Sequence, residues 1–131
     1  MKLETFNLCL EFHQALIRPR LCDEVKENAK RILVDGVDVK NASGKRLADK
    51  VKFRYAELQL FKGASFDRKI EVYTKATGRK ANPLVFKALK EYESGQYKNM
   101  HQASFANGVS MQCVKSLKER FDRFEMYANK L

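Results

Sequence analysis

The chain has 131 residues, 44% of them hydrophobic, with nine Phe, five Tyr and no Trp; 26 Lys and Arg against 16 Asp and Glu give a formal charge of +10. This length allows one domain or two very small ones, and a unit of about 45 residues buries too little surface to stand alone. No apolar run approaches the roughly 20 residues of a spanning helix, and the basic excess favours a polyanionic partner, most often nucleic acid and sometimes an anionic membrane.

The opening Met1-Lys2-Leu3-Glu4 carries an early acid and does not read as a secretory signal, so a cytoplasmic location is expected. Leu3, Phe6, Leu10, His13 and Ile17 form one helical stripe; Leu8, Phe12 and Leu16 lie off it, as in a helix buried on more than one side. Pro19 stops that helix. A second starts near Asp23 as N-cap, with Val25, Ala29, Ile32 and Leu33 at helical spacing, and ends at Gly36. Residues 37–48 read as a short polar element and residues 49–61 as a stronger helix with Val51, Tyr55, Leu58 and Phe61 on one face. Residues 62–82 look loop-like, and within them Ile70-Glu71-Val72-Tyr73-Thr74 has the β propensity of one short strand. Asn82-Pro83 opens the next helix as cap and first residue, Leu84, Ala88, Leu89 and Tyr92 supply its buried face, and Gly95 closes it. A short helix over 101–107 and a long one from Ser110 complete the chain. Val114, Leu117, Phe121, Phe124, Ala128 and Leu131 make a short heptad seam on the long helix, suited equally to core packing and to a dimer contact.

The fold class expected is therefore all-α, with about six to eight helices. Its organisation would be a helical half over 1–61, a basic connector over 62–82 and a second half over 83–131. These carry 12 positive and nine negative, six and two, and eight and five charges, so the connector holds the densest excess. Cys9, Cys22 and Cys113 are an odd, widely spaced set without a CxxC pair, as expected of reduced thiols, and His13 and His101 have no cysteine at zinc-ligand spacing; neither metal nor cofactor is expected. No phosphate loop and no nucleophile with an adjacent base appears, so the expectation is not an enzyme.

Two stretches match without a gap at an offset of 59 residues: Asp23 with Asn82, Val25 with Leu84, Ala29 with Ala88, Leu33 with Tyr92, Gly36 with Gly95, Tyr55 with Val114 and Leu58 with Leu117. The shared pattern is a cap, an apolar face, a helix-ending glycine and a second apolar stripe, read as a tandem helix-turn-helix repeat. The stronger copy is His101-Gln102-Ala103-Ser104-Phe105-Ala106-Asn107-Gly108-Val109-Ser110-Met111-Gln112-Cys113-Val114-Lys115-Ser116-Leu117. Ala103 or Ser104 is small enough for a helix crossing, Gly108 tolerates the turn's positive φ, Val109 plugs the core and Ser110 caps the next helix. Asn107 departs from the apolar residue usual before the glycine, and Phe105 lies on another face, free to pack on the other half. A plain helical hairpin in a bundle is the competing reading.

The face left outward makes Met111, Gln112, Lys115 and Ser116 candidates for reading bases, since Gln pairs with adenine and Lys reaches guanine. Lys98, Asn99, Ser110 and Lys118 are candidates for phosphate. The N-terminal copy is degraded at its turn, where Asp49 and Lys50 replace the glycine and the plug and only Gly44 offers φ freedom. Its Lys45, Arg46, Lys50, Lys52 and Arg54 are phosphate candidates, with a solvated charged face as the alternative. Arg68, Lys69, Lys75, Arg79 and Lys80 in the connector are further ones, able to follow a backbone or enter a minor groove.

Residues 25–36, with Ala29-Lys30-Arg31-Ile32-Leu33-Val34-Asp35-Gly36, resemble the helix that precedes the reader helices in KorA/TrfB-type plasmid repressors. Residues 88–117 are similar to the same module there and in PapB-type fimbrial regulators. The resemblance spans about 30 residues in each half. It implies an all-helical transcription factor of a bacterial plasmid, phage or fimbrial operon that binds double-stranded operator DNA, commonly as a homodimer. Such regulators carry one reader module per chain, so two modules imply one chain covering two half-sites or a dimer covering four. The function expected is thus sequence-specific DNA-binding regulation, most simply repression. The alternatives are a σ-factor-like or polymerase-binding module using the Leu3–Ile17 helix and the 121–131 tail, or a DNA-packaging recognition subunit.

Overall fold

The computed structural model describes residues 1–79 and 82–131. They form seven helices and no strand among the described residues: α1 (Leu3–Ile17), α2 (Asp23–Leu33), α3 (Ala42–Phe61), α4 (Phe66–Thr77), α5 (Pro83–Glu93), α6 (Met100–Ala106) and α7 (Met111–Asn129). The fold is all-α. Two compact units divide it, one of Met1–Lys62 with Tyr127–Leu131 and one of Gly63–Met126.

In the first unit α1 ends because Pro19 bars a right-handed helix at the residue before it. Arg18 takes a left-handed conformation instead (φ 54°) and its N–H reaches the Gln14 carbonyl. Cys22, not Asp23, holds the N-cap position of α2; Asp23 and Glu24 occupy its first turn and Lys30 and Arg31 its last, each charge at the favourable end of the helix dipole. The Asn41 side chain caps α3 by accepting from Gly44 N at 2.8 Å. Phe6, Cys9, Phe12, Ala29, Leu47, Ala48, Val51, Leu58 and Phe61 are buried, and Phe12 meets the Tyr127 ring at 5.2 Å between centroids.

Two expectations fail in this unit. Residues 37–48 and 49–61 are not separate elements, because α3 runs unbroken from Ala42 and places Asp49 and Lys50 in mid-helix. The N-terminal copy therefore has no turn where the repeat calls for one. Gly44 serves close packing instead: a Cβ built on it would lie 2.7 Å from Asn28 Cβ of α2. What does repeat is the earlier part. Ala29 and Ala88 are both fully buried, and Gly36 and Gly95 both follow their helices with positive φ.

In the second unit residues 70–74 are helical, not a strand, and most of the expected connector is α4. Ser65 accepts from Arg68 N at 3.3 Å, Asp67 sits in the first turn, and Val72, Tyr73 and Ala76 bury one helical face. Tertiary burial on a helical period outweighs the β propensity of five residues. Asn82 caps α5 through Leu84 N at 3.0 Å, with Pro83 at its start. Phe86, Ala88 and Leu89 are its buried residues, while Leu84 is exposed. Tyr73, Phe86 and Phe121 form an aromatic cluster with centroids 5.0–6.2 Å apart, and Phe66 stacks on Phe121 at 5.6 Å. Val114, Leu117, Phe121, Phe124 and Ala128 of the heptad seam are buried and Leu131 is half-buried, so these positions serve core packing.

Candidate nucleic-acid interface

Residues 99–117 form two helices joined by a tight turn. Asn99 starts α6 by accepting from Gln102 N at 2.9 Å. Ala103 and Ser104 are buried, and Ser104 Oγ donates to the Met100 carbonyl at 2.8 Å. Gly108 carries the left-handed φ of 66° that turns the chain, and Val109 N then donates back to the Ser104 carbonyl at 3.1 Å. Ser110 Oγ accepts from Cys113 N at 3.2 Å and so caps α7. The polar residue before the glycine uses both donors of its amide: Asn107 Nδ2 donates to Glu91 Oε1 of α5 and to the Ala103 carbonyl, each at 2.8 Å.

This turn leaves the first turns of α7 with one buried and one open side. Val114 and Leu117 face inward; Met111, Gln112 and Lys115 are exposed. Ser116 is half-buried and accepts from Gln112 Nε2 at 3.4 Å, which links two of the base-reading candidates. Lys115 makes no ion pair among the described residues. Lys98 is exposed just ahead of α6, and Asn99 and Ser110 are exposed but already engaged as caps.

Several phosphate candidates have other partners. Lys118 is half-buried between Asp122 at 2.9 Å and Glu93 at 3.4 Å, and the hydrogen bond to Asp122 leads in raising its pKa. It braces α7 against α5 and is not free for a ligand. Arg54 is 6% exposed; its Nε donates to His13 Nδ1 at 3.1 Å and its Nη1 pairs with Glu57 at 2.6 Å, so it is a core residue and not a phosphate contact. Arg68 pairs with Glu71 at 2.9 Å and Lys69 with Glu125 at 3.0 Å. Lys45, Arg46, Lys50, Lys52, Lys75 and Arg79 are exposed; Lys80 lies outside the described residues.

Phe105 does not pack elsewhere: it is 83% exposed, on α6 beside the turn. Arg120 and Arg123, absent from the sequence candidates, are exposed further along α7. Their only signal in the sequence is charge. The cysteines are free; burial pushes the Cys9 thiol up to about 11 and keeps it protonated. Among the described residues no group of His, Cys, Asp and Glu is placed to hold a metal, and no helix is long and apolar enough to cross a membrane.

Searches against protein-family models, curated proteins and solved structures returned no match for this chain.

Proposed function

We propose that the chain is a sequence-specific, double-stranded DNA-binding regulator, acting as a repressor of a bacterial plasmid, phage or fimbrial operon. The observation that carries this reading is the first part of α7. Met111, Gln112 and Lys115 stand exposed on a helix whose opposite side is locked into a core, behind a turn set by Gly108 and Ser110. A rigid helix with a free polar edge suits a major groove about 12 Å wide. Gln112 supplies the bidentate donor and acceptor that adenine requires, and Lys115 a cation for guanine or phosphate. The second unit carries 12 Lys and Arg against seven Asp and Glu, which supplies non-specific attraction to the duplex.

The unbroken α3 supports a reading with one reader per chain, in which two chains would cover the operator half-sites. The polymerase-binding alternative would have Leu3, Ile17 and Met126 as the exposed large apolar residues of its two segments. Phe6 and Phe12 of α1 and Phe121, Phe124 and Tyr127 of the tail are buried.

The test is footprinting of the full chain on duplex DNA from upstream of its own coding region. The reading expects a protected segment whose affinity falls when Gln112 is replaced by Ala. Protection that is uniform along the duplex, and indifferent to that change, refutes sequence reading.

A further inference from the structure

Within the first unit an open cleft of about 950 Å³ lies between the last turn of α1, the loop that follows it and the first half of α3. Small-molecule sites span about 300–1,000 Å³. Pro19, Leu21, Val25 and Leu47 give the cleft an apolar lining. Every charged residue that lines it is a cation: Arg20, Arg46 and Lys50. None of the three makes an ion pair among the described residues, and Arg46 Nη2 meets only the Ser43 hydroxyl, at 3.2 Å. Unpaired cations of one sign beside an apolar surface attract an anion that carries an apolar body.

One further feature belongs to the same wall. His13 lines the cleft, is 5% exposed, and accepts from Arg54 Nε at its Nδ1. Its burial, with Arg54 and Lys50 nearby, lowers its pKa to about 4. The ring is therefore neutral near pH 7 with its proton on Nε2, a donor without a charge.

We propose that this cleft binds a small organic anion, its carboxylate or phosphate held among Arg20, Arg46 and Lys50 and its apolar body against Leu21, Val25 and Leu47. Arginine forks match the planar oxygens of either group. The proposal does not rest on the DNA reading, and it gives Arg46 and Lys50 a role other than phosphate-backbone contact.

The experiment is an NMR titration of the ¹⁵N-labelled full chain with phenyl phosphate, benzoate and phenol. Saturable shifts at the amides of Arg20, Ser43, Leu47 and Lys50 are expected with one or both anions and not with phenol. Which anion binds more tightly separates phosphate from carboxylate. Arg46→Gln and Lys50→Gln, both at exposed positions, should keep the melting temperature and bind roughly tenfold more weakly. Arg20→Gln, in the loop, checks the same loss away from α3. Shifts that scatter over the basic surface without saturating, or unchanged affinity in all three variants, overturn the proposal. So does displacement of the anion by a short DNA duplex, which would assign these cations to nucleic acid; retention of the anion with duplex present supports the separate cleft.

Discussion

The side-chain amide of Asn107 is shared between the Glu91 carboxylate and the Ala103 carbonyl, at 2.8 Å to each. One NH₂ group thus fastens the turn after α6 both to α6 itself and to α5. A polar residue at a position where an apolar one is usual is explained by this pair of bonds. Hydrogen bonds to charged acceptors contribute about 1.5–3 kcal/mol, and a partly buried pair sits at the lower end. Asn107→Ala should therefore lower stability by roughly 1–2 kcal/mol in urea unfolding. A change within error would mean that water replaces both bonds at no cost.

Gly108 is required for a different reason. A Cβ there meets nothing within 4 Å, so space is available, but φ is +66°. The cost of a side chain is conformational, about 1–2 kcal/mol for Ala and more for a β-branched residue. Gly108→Val should lower the melting temperature and weaken operator binding together. Unchanged values of both would contradict the assigned turn.

Gly44 is the opposite case, with a helical backbone and no space: the added Cβ would sit 2.7 Å from Asn28 Cβ. Alanine gains up to about 1 kcal/mol in helix propensity but forces α2 and α3 apart at an overpacking cost of about 1–3 kcal/mol. Net destabilisation of Gly44→Ala, with recovery in Gly44→Ala/Asn28→Gly, is the expected result. A stabilised single variant would show that the two helices separate freely.

His13 makes stability depend on pH. Its folded pKa of about 4 lies below its ordinary 6.5, because burial, then Arg54 and Lys50, disfavour the imidazolium. The unfolded chain binds the proton more readily, so stability is complete above pH ~6.5 and falls as pH drops towards 4. Arg54 and Lys50 are the cations that face the ring, and Glu57 pairs with Arg54 at 2.6 Å. The full contribution is about 3 kcal/mol. His13→Gln should flatten the stability profile between pH 6.5 and 4.5; an unaltered slope would place the acid sensitivity elsewhere.

How far the sequence led depends on whether the deciding partner was near in the chain. Asn82-Pro83, Ser110 and Gly108 act within four residues, and each forms the cap or turn their chemistry requires. The exposed Met111, Gln112 and Lys115 followed from the helical period of Val114 and Leu117. Arg54 and Lys118 were misjudged because His13, 41 residues from Arg54, and Glu93 of another helix take up their charge. The α4 helix was hidden because Tyr73 meets Phe121, which no local window contains. At Asp49 the internal match itself misled: similarity of apolar stripes carried the expected turn into the middle of a continuous helix.

The central claim is that the edge of α7 carrying Gln112 and Lys115 enters a duplex groove. Its most direct measurement is fluorescence anisotropy of a labelled operator duplex and a scrambled one, titrated with parent and Lys115→Ala chains at several salt concentrations. The account predicts a loss of about 1–3 kcal/mol on the operator for Lys115→Ala, concentrated on the specific duplex if the lysine reads a base and equal on both duplexes if it holds phosphate. Identical binding of parent and variant to both duplexes at every salt concentration, or no binding of the parent at low salt, would contradict it.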